Sequence, residues 1–199
     1  MSDWKVIGKG NVPPVGPLII VANHQSAFDP SLLSTSIPRS VKFLAKQDIF
    51  HRGPASWFLR SYGAYPLNRE RIGIHTYRWI ITQLQNDGVI VIFPEGTRSI
   101  GGMRRARPGI AKLAIESQAA ILPVGISGTS HLGTWLRVLN PTGKIRVNIG
   151  SAFTLPNVEG RLNHEVLMSL TDLIMEKVAV LLPLELRGVY MNKGVECQN

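Results

Sequence analysis

Short apolar runs alternate along the chain with longer stretches in which apolar residues recur every three to four positions. The runs are rich in valine and isoleucine and are bounded by glycine, proline or asparagine, as strands usually are. They predict strands at Pro17–Ala22, Val41–Ala45, Val89–Phe93, Ala119–Ile126 and Ile145–Ile149. Two stretches, 88–93 and 121–126, are apolar almost throughout, which indicates central strands covered on both faces.

The helical period predicts helices at Pro30–Ile37, Glu70–Asn86, Gly109–Ser117 and His164–Leu182. The second has an apolar stripe of Ile74, Tyr77, Ile81 and Leu84, and the last one of Val166, Leu170, Leu173, Ile174 and Leu181. Alternating strands and helices predict an α/β fold with a mainly parallel or mixed central sheet and helices on both faces. Because no repeat or linker interrupts the 199 residues, we predict a single domain over 1–199. Its motif-bearing core covers about 10–155 and its C-terminal helix about 160–182.

Targeting and redox signals are few. All apolar runs are far shorter than the roughly 18 residues that a spanning helix needs, and the first ten residues do not resemble a signal peptide. The only cysteine is Cys197, which excludes an internal disulfide framework. The other histidines, His51, His75, His131 and His164, have no metal-ligand spacing, so we expect no metal site. The chain is therefore expected to be cytoplasmic and to lack a membrane span.

Charge adds information about partners. The chain has 22 basic and 13 acidic side chains, a net charge of +9 and a pI near 10.1. Residues 1–110 carry +8 of this charge and residues 111–199 carry +1. Such an excess attracts nucleic acid, an anionic bilayer or a phosphorylated substrate. The strands are aliphatic and lack the interleaved aromatic and basic residues that favour nucleic acid, so we expect no nucleic-acid partner.

The first candidate site is the segment Asn23-His24-Gln25-Ser26-Ala27-Phe28-Asp29-Pro30, directly after a predicted strand. Active sites of open α/β sheets collect at the carboxyl ends of strands. An imidazole can accept a proton near neutral pH, and a nearby carboxylate can fix its tautomer. Alternatively, Asp29 caps the helix that Pro30 opens and His24 is an ordinary polar residue.

The second candidate site is Phe93-Pro94-Glu95-Gly96-Thr97-Arg98-Ser99, which also follows a predicted strand. Arg104, Arg105 and Arg107 come next, just before a predicted helix. Arginine forks and helix N-termini both bind phosphate, so the run indicates a phosphomonoester site. The other interpretation is a basic, solvated loop.

The two segments, about 70 residues apart, together resemble the glycerolipid acyltransferase family, whose best-known members are the bacterial 1-acyl-glycerol-3-phosphate O-acyltransferases. Weaker similarities extend over nearly the whole chain, at 10–17, at Gly63-Ala64-Tyr65-Pro66-Leu67-Asn68-Arg69, at 121–126 and at 186–190. Asn68 departs from the aspartate that is usual in the family, while Arg69 is retained.

The resemblance implies transfer of a fatty acyl group from acyl-CoA or acyl-carrier protein to the hydroxyl of 1-acyl-glycerol-3-phosphate, giving phosphatidic acid in phospholipid biosynthesis. His24 would be the general base and Asp29 its orienting carboxylate. Direct transfer without an acyl-enzyme agrees with the absence of a Gly-x-Ser-x-Gly elbow and with a cysteine only in the tail. No cofactor is expected beyond the acyl thioester co-substrate.

The resemblance also implies residues that bind the acceptor headgroup. These are Glu95, Arg98 and Arg69, with Gly96 allowing close approach or a positive φ and Thr97 giving a hydroxyl or a turn. Lys46 and Arg107 are further candidates, Arg107 because it is nearest to the predicted helix N-terminus.

The sequence also indicates a candidate segment for contact with the membrane. Only 22 residues precede Asn23, whereas many relatives have a membrane-docking segment there, so we expect the contact elsewhere. Residues 54–62 have helical spacing, with Trp57, Phe58, Leu59 and Tyr62 around Arg60, and this face contacts either a bilayer or the sheet. With the basic excess, this indicates peripheral binding to the anionic inner face of the cell membrane.

Two alternatives remain open. The same motifs serve enzymes that acylate glycerol-3-phosphate, other lysophospholipids, lyso-ornithine lipids or glycolipids. A non-catalytic basic module that binds membrane or nucleic acid is the other class, and charge alone allows it.

Overall fold

The computed structural model describes residues 2–46, 63–67, 73–130, 143–156 and 162–191. Its strands are β1 (Ser2–Ile7), β2 (Leu18–Ala22), β3 (Val41–Lys46), β4 (Ala64–Leu67), β5 (Val89–Ile92), β6 (Ala120–Ser127) and β7 (Gly143–Ile149). Its α-helices are α1 (Asp29–Ser36), α2 (Ile74–Gln85), α3 (Gly109–Ser117) and α4 (His164–Ala179). Single 3₁₀ turns at Lys9–Asn11, Leu184–Leu186 and Gly188–Tyr190 complete the described elements.

The described strands form one seven-stranded sheet in the order β1-β7-β6-β2-β5-β3-β4. Strands β6, β2, β5, β3 and β4 are parallel, whereas β7 runs antiparallel to β6 and β1 pairs with β7 in parallel. The sheet is therefore mixed, as the sequence predicts. Strand β2 lies at its centre, and all five of its residues are fully buried, as its unbroken apolar run requires.

Helices cover both faces of this sheet, which confirms the predicted architecture. On one face Ile19, Ile90 and Ile121 pack in a core with side chains from α2, α3 and α4. On the other, Leu18 and Ile20 pack with side chains of α1. Residues that alternate along one strand thus enter opposite cores.

The predicted helix faces are confirmed in part, because Leu84 and Ile174 are buried in the core and Tyr77, Ile81 and Leu170 pack against it, but some positions and ends differ. In α2 the buried stripe is Thr76, Ile80 and Leu84, while Ile74 is exposed at the first turn. In α4 Leu173 is exposed, and the helix ends at Ala179 rather than continuing to residue 182. A neighbouring position at helical spacing fits the period almost as well, so periodicity alone places a stripe only to within one residue.

Two edge strands, β1 and β4, were not predicted from the sequence. Strand β1 has charged residues at Asp3 and Lys5, and β4 contains Pro66. Charges and proline are features of edge strands, which need no apolar run. Within the segments described, no helix combines the length and the apolar character needed to cross a bilayer.

Candidate active site

The central parallel strands bring the two candidate segments to one edge of the sheet. Strands β2 and β5 are neighbours in parallel register, with Val21 beside Ile92. Asn23 continues from β2, and its side chain exchanges hydrogen bonds with the main chain of Ile126 in β6, at 2.9 and 2.8 Å. This side chain fixes the point at which the chain leaves the sheet, so it positions His24.

His24 and Asp29 form a direct pair. His24 Nδ1 lies 2.8 Å from Asp29 Oδ2, and because the carboxylate only accepts, Nδ1–H is the donor and Nε2 carries the lone pair. The imidazole stacks on Phe93 with 4.3 Å between ring centroids, and its side chain is 11% exposed. The arrangement combines a basic nitrogen, in a side chain that keeps some exposure, with a buried carboxylate on the other ring nitrogen, a geometry that suits general-base chemistry.

Asp29 is the first residue of α1, but its carboxylate does not cap that helix. Besides Nδ1, Oδ2 accepts from the N–H groups of Gln25 and Ser26, at 2.7 and 2.8 Å. Its other oxygen accepts from Thr129 Oγ1 at 2.7 Å. The carboxyl is fully buried and fully used in holding the imidazole and the turn that precedes α1.

Glu95 joins the second segment to the first. Its Oε1 accepts from the N–H of His24 at 3.1 Å and its Oε2 from the N–H of Arg104 at 2.8 Å. His24 O in turn accepts from Ser99 N at 2.8 Å. Burial raises the pKa of the Glu95 carboxyl, although the two N–H donors favour its ionised form. Both oxygens are therefore committed to the backbone of the site.

A cavity of about 760 Å³ opens beside these residues. Three arginines, Arg104, Arg105 and Arg107, line it, and the rest of its lining is formed by Glu95, Thr97, Ser99, Gly101, Gly102, Met103, Gly188 and Val189. A cavity lined by three arginines suits an anionic group such as a phosphomonoester.

Gly96 has φ 69°, which confirms the expected positive φ. A Cβ at this position would lie 3.2 Å from Arg107 Nε, so the missing side chain also leaves room for that guanidinium.

The other predicted binding residues are placed unevenly. Glu95, Thr97 and Arg107 meet at the cavity, while Arg98 is exposed and is not part of its lining. Lys46 is the last residue of β3, and its side chain is not among the parts of the chain that the structure describes. Arg69, His131 and the predicted helix at 54–62 lie outside the described residues.

Sequence reasoning missed two contributors. Thr129 follows β6 across a tight turn at Gly128, and only the three-dimensional structure brings it to Asp29. Tyr190 and the segment around it contact the arginine-bearing loop from the C-terminal side. A threonine after a central strand is a weak signal, and the similarity at 186–190 does not link Tyr190 to Ala106, which is 84 residues away. Among the described residues, no three histidine, cysteine, aspartate or glutamate side chains are grouped as metal ligands.

The family model named Acyltransferase matches residues 3–127, which include His24, Asp29 and Glu95. The chain belongs to this acyltransferase family. It is 25% identical over 175 residues to a 1-acyl-sn-glycerol-3-phosphate acyltransferase of Bacillus subtilis, covering 87% of this chain and 85% of the relative. A yeast acyltransferase of the same name, from Saccharomyces cerevisiae, is 32% identical over 136 residues, which is 65% of this chain and 45% of the relative.

Among solved structures, this acyltransferase resembles the 1-acyl-sn-glycerophosphate acyltransferase PlsC of Thermotoga maritima. The TM-score is 0.70 at 28% identity, with 90% of this chain and 71% of that chain covered. The match extends over the mixed sheet and its helices, so the fold as well as the motif-bearing segments is that of an acyltransferase.

Proposed function

We propose that this acyltransferase moves a fatty acyl group from an acyl thioester to the free hydroxyl of 1-acyl-glycerol-3-phosphate, producing phosphatidic acid for phospholipid biosynthesis. The observation that carries the proposal is the His24–Asp29 pair beside a cavity lined by three arginines. The base suits a hydroxyl nucleophile, and the guanidinium groups suit the phosphate of the acceptor. Relatives of this name in Bacillus and yeast support the choice of acceptor.

In the proposed mechanism, His24 Nε2 takes the proton of the acceptor hydroxyl as its oxygen attacks the thioester carbonyl. The new ester forms, the carbon–sulfur bond breaks, and the proton passes from His24 to the leaving thiolate. Asp29 holds the imidazole in the required tautomer and stabilises its positive charge. The acyl group passes directly to the acceptor, and acyl-CoA or acyl-carrier protein is a co-substrate, so the proposed step needs no other cofactor.

Residues of the second segment are proposed to hold the acceptor. Arg107, whose guanidinium lies beside Gly96, binds the phosphate together with the hydroxyl of Thr97, while Arg98, Arg69 and Lys46 are candidates from the resemblance. Glu95 lines the cavity, but its oxygens accept from His24 and Arg104. Glu95 therefore acts by holding the backbone of His24 and the backbone of the arginine-bearing loop at Arg104 in fixed positions relative to each other.

The test is thiol release from a long-chain acyl-CoA with and without lysophosphatidic acid, with phosphatidic acid identified by mass spectrometry. Release should require the acceptor and fall roughly 10²–10⁴-fold in His24→Ala, the usual contribution of a general base. His75→Ala, which removes an exposed histidine of α2, is the matched control and should retain full activity. Acceptor-independent release would indicate a thioesterase and contradict the proposal. No product from either donor type with a panel of lysolipids would favour a binding module.

We also propose that the protein binds as a peripheral protein to the anionic inner face of the cell membrane. Ile100 and Val189 are 68% and 61% exposed, and Val189 and both chain neighbours of Ile100 line the arginine-rich cavity. Exposed apolar side chains beside basic ones suit an anionic bilayer, where area burial and charge attraction act together.

Sedimentation with vesicles tests this placement. Binding should require phosphatidylglycerol, weaken at about 0.5 M salt, where charges are screened, and fall severalfold in the double variant Ile100→Ser/Val189→Ser. Val15→Ser, at a site that is 77% exposed between Pro14 and Gly16, is the control. Wild-type binding to phosphatidylcholine vesicles that equals its binding to phosphatidylglycerol vesicles, or a double variant that binds phosphatidylglycerol as well as Val15→Ser does, would contradict it.

A further inference from the structure

The described C-terminal segment, Leu184–Met191, packs along the loop that carries the cavity arginines. Its main chain makes two hydrogen bonds with the main chain of Met103. Met103 N donates to Leu186 O at 2.9 Å, and Val189 N donates to Met103 O at 3.2 Å. Gly188 has φ 52°, and a Cβ there would lie 2.1 Å from Met103 O. The close approach of these two chains therefore depends on glycine.

Tyr190 extends this contact with its side chain. The residue is 2% exposed, and its hydroxyl accepts from the N–H of Ala106 at 3.1 Å and donates to Asp172 Oδ1, in α4, at 3.3 Å. Because a carboxylate only accepts, Asp172 fixes the direction of the hydroxyl proton and leaves a lone pair for Ala106. Burial raises the pKa of Tyr190 to about 12, so the hydroxyl keeps this proton in the physiological range.

Ala106, whose N–H bonds to Tyr190, stands between Arg105 and Arg107, and both of these residues line the cavity. The same loop is also held by Glu95, which accepts from Arg104 N, and by Pro94 O, which accepts from Arg107 N at 3.1 Å. Asp172 Oδ2 also lies 3.9 Å from the Arg105 guanidinium. Tyr190 and Asp172 thus fix the backbone between two cavity arginines, at a point of the loop different from the two that Glu95 and Pro94 hold.

We propose that Tyr190, oriented by Asp172, is a positioning residue that sets the arginines at 105 and 107 for the anionic headgroup of the acceptor. The proposal rests on the proposed function for the identity of that acceptor. It acts on acceptor binding and leaves the base and the acyl donor unaffected, because the Tyr190 hydroxyl bonds to the arginine loop and α4.

Tyr190→Phe tests it, with Tyr77→Phe as the matched control. Tyr77 is a partly buried tyrosine that donates to Glu116, away from the cavity lining. Loss of the hydroxyl leaves the buried N–H of Ala106 without its acceptor. Tyr190→Phe should raise the KM for lysophosphatidic acid about tenfold, with kcat and the KM for acyl-CoA within twofold of wild type. Tyr77→Phe should change none of these.

A calorimetric titration with glycerol 3-phosphate separates this proposal from the proposed function, because it needs no turnover and no bilayer. The Kd should rise about tenfold in Tyr190→Phe and also rise in Asp172→Asn, a variant that keeps the tyrosine in place. Unchanged binding, or a KM that rises equally for donor and acceptor, would overturn the positioning role. If Tyr190→Phe fails to fold by circular dichroism, Asp172→Asn alone decides. Weakened binding without turnover of any acyl thioester would reject the proposed function but retain this one.

Discussion

Thr129 Oγ1 donates to Asp29 Oδ1 at 2.7 Å, and neither side chain has any exposed surface. The two residues are 100 positions apart in the sequence, but they meet because Asp29 follows β2, Thr129 follows β6, and these two strands are parallel neighbours. The hydroxyl satisfies the one carboxylate oxygen that the imidazole and the turn amides do not use. The orientation of the base is therefore built partly by the chain that leaves β6.

The first prediction concerns this threonine. Thr129→Val keeps the shape of the side chain but leaves a buried carboxyl oxygen of Asp29 without its donor. We expect the free energy of unfolding to fall by about 1–3 kcal/mol and kcat to fall about tenfold, with little change in either KM. Urea unfolding and steady-state kinetics measure both effects.

The control is Thr171→Val in α4. Thr171 is also fully buried, but within the described residues its Oγ1 has no hydrogen-bond partner. Its replacement should leave stability and turnover unchanged or raise stability slightly. Equal losses in both variants would mean that burial of a hydroxyl, rather than its bond to Asp29, matters.

The second prediction concerns the tautomer of His24. Asp29→Asn replaces an acceptor-only group by one that also donates, so His24 Nδ1 loses its fixed role as the donor. We expect kcat to fall by about 10²–10⁴-fold while the KM for both substrates changes little, since Asp29 does not line the cavity. Asp87→Asn is the control, because Asp87 is exposed with φ 55°, a conformation that asparagine adopts readily. A loss of activity that comes only from a higher KM, with kcat unchanged, would contradict the orienting role.

The sequence predicted the centre of this fold because burial leaves a strong pattern. A run such as Leu18–Ala22, buried on both faces, has few structural alternatives, and parallel neighbours place the residues that follow it at one edge. The pairing of His24 with Asp29 was predicted as one of two possibilities, and the capping alternative was wrong. Nothing local decides between them, because aspartate before proline fits a helix start equally well.

The rest of the site depends on contacts between distant parts of the chain. Glu95 was expected to bind the headgroup, and the structure gives both of its oxygens to backbone N–H groups of His24 and Arg104. Tyr190 contacts Ala106 only because α4 returns the chain to the arginine loop. Such contacts follow from topology, and neither composition nor periodicity contains that information.

The third prediction concerns Gly96. Gly96→Ala places a side chain at φ 69° and brings its Cβ to 3.2 Å from Arg107 Nε. The left-handed conformation costs about 1–2 kcal/mol, and the guanidinium must move away. We expect the KM for lysophosphatidic acid to rise about fivefold to tenfold, with the KM for acyl-CoA unchanged. Gly10→Ala, where a Cβ meets no atom within 4 Å, is the control. If the KM for lysophosphatidic acid does not change, Arg107 does not bind the headgroup.

The fourth prediction concerns the pH dependence of stability through Glu95. Because burial raises its pKa, the folded protein keeps this proton to a higher pH than the unfolded chain does. As pH rises above the ordinary glutamate value of about 4.3, the unfolded state loses the proton first, so the free energy of unfolding of the wild type falls. The slope cannot exceed about 1.4 kcal/mol per pH unit for one group.

Glu95→Gln removes this titration and also sets an amide N–H against the N–H of His24 or of Arg104. The variant should be less active at every pH, and the stability difference between wild type and variant should narrow as pH rises from about 4 to about 6. Urea unfolding at several pH values measures it, with Glu185→Gln, an exposed glutamate, as the control for loss of one charge. A difference that widens with pH would mean that the two N–H donors outweigh burial and lower the pKa of Glu95, so that its ionised form stabilises the site.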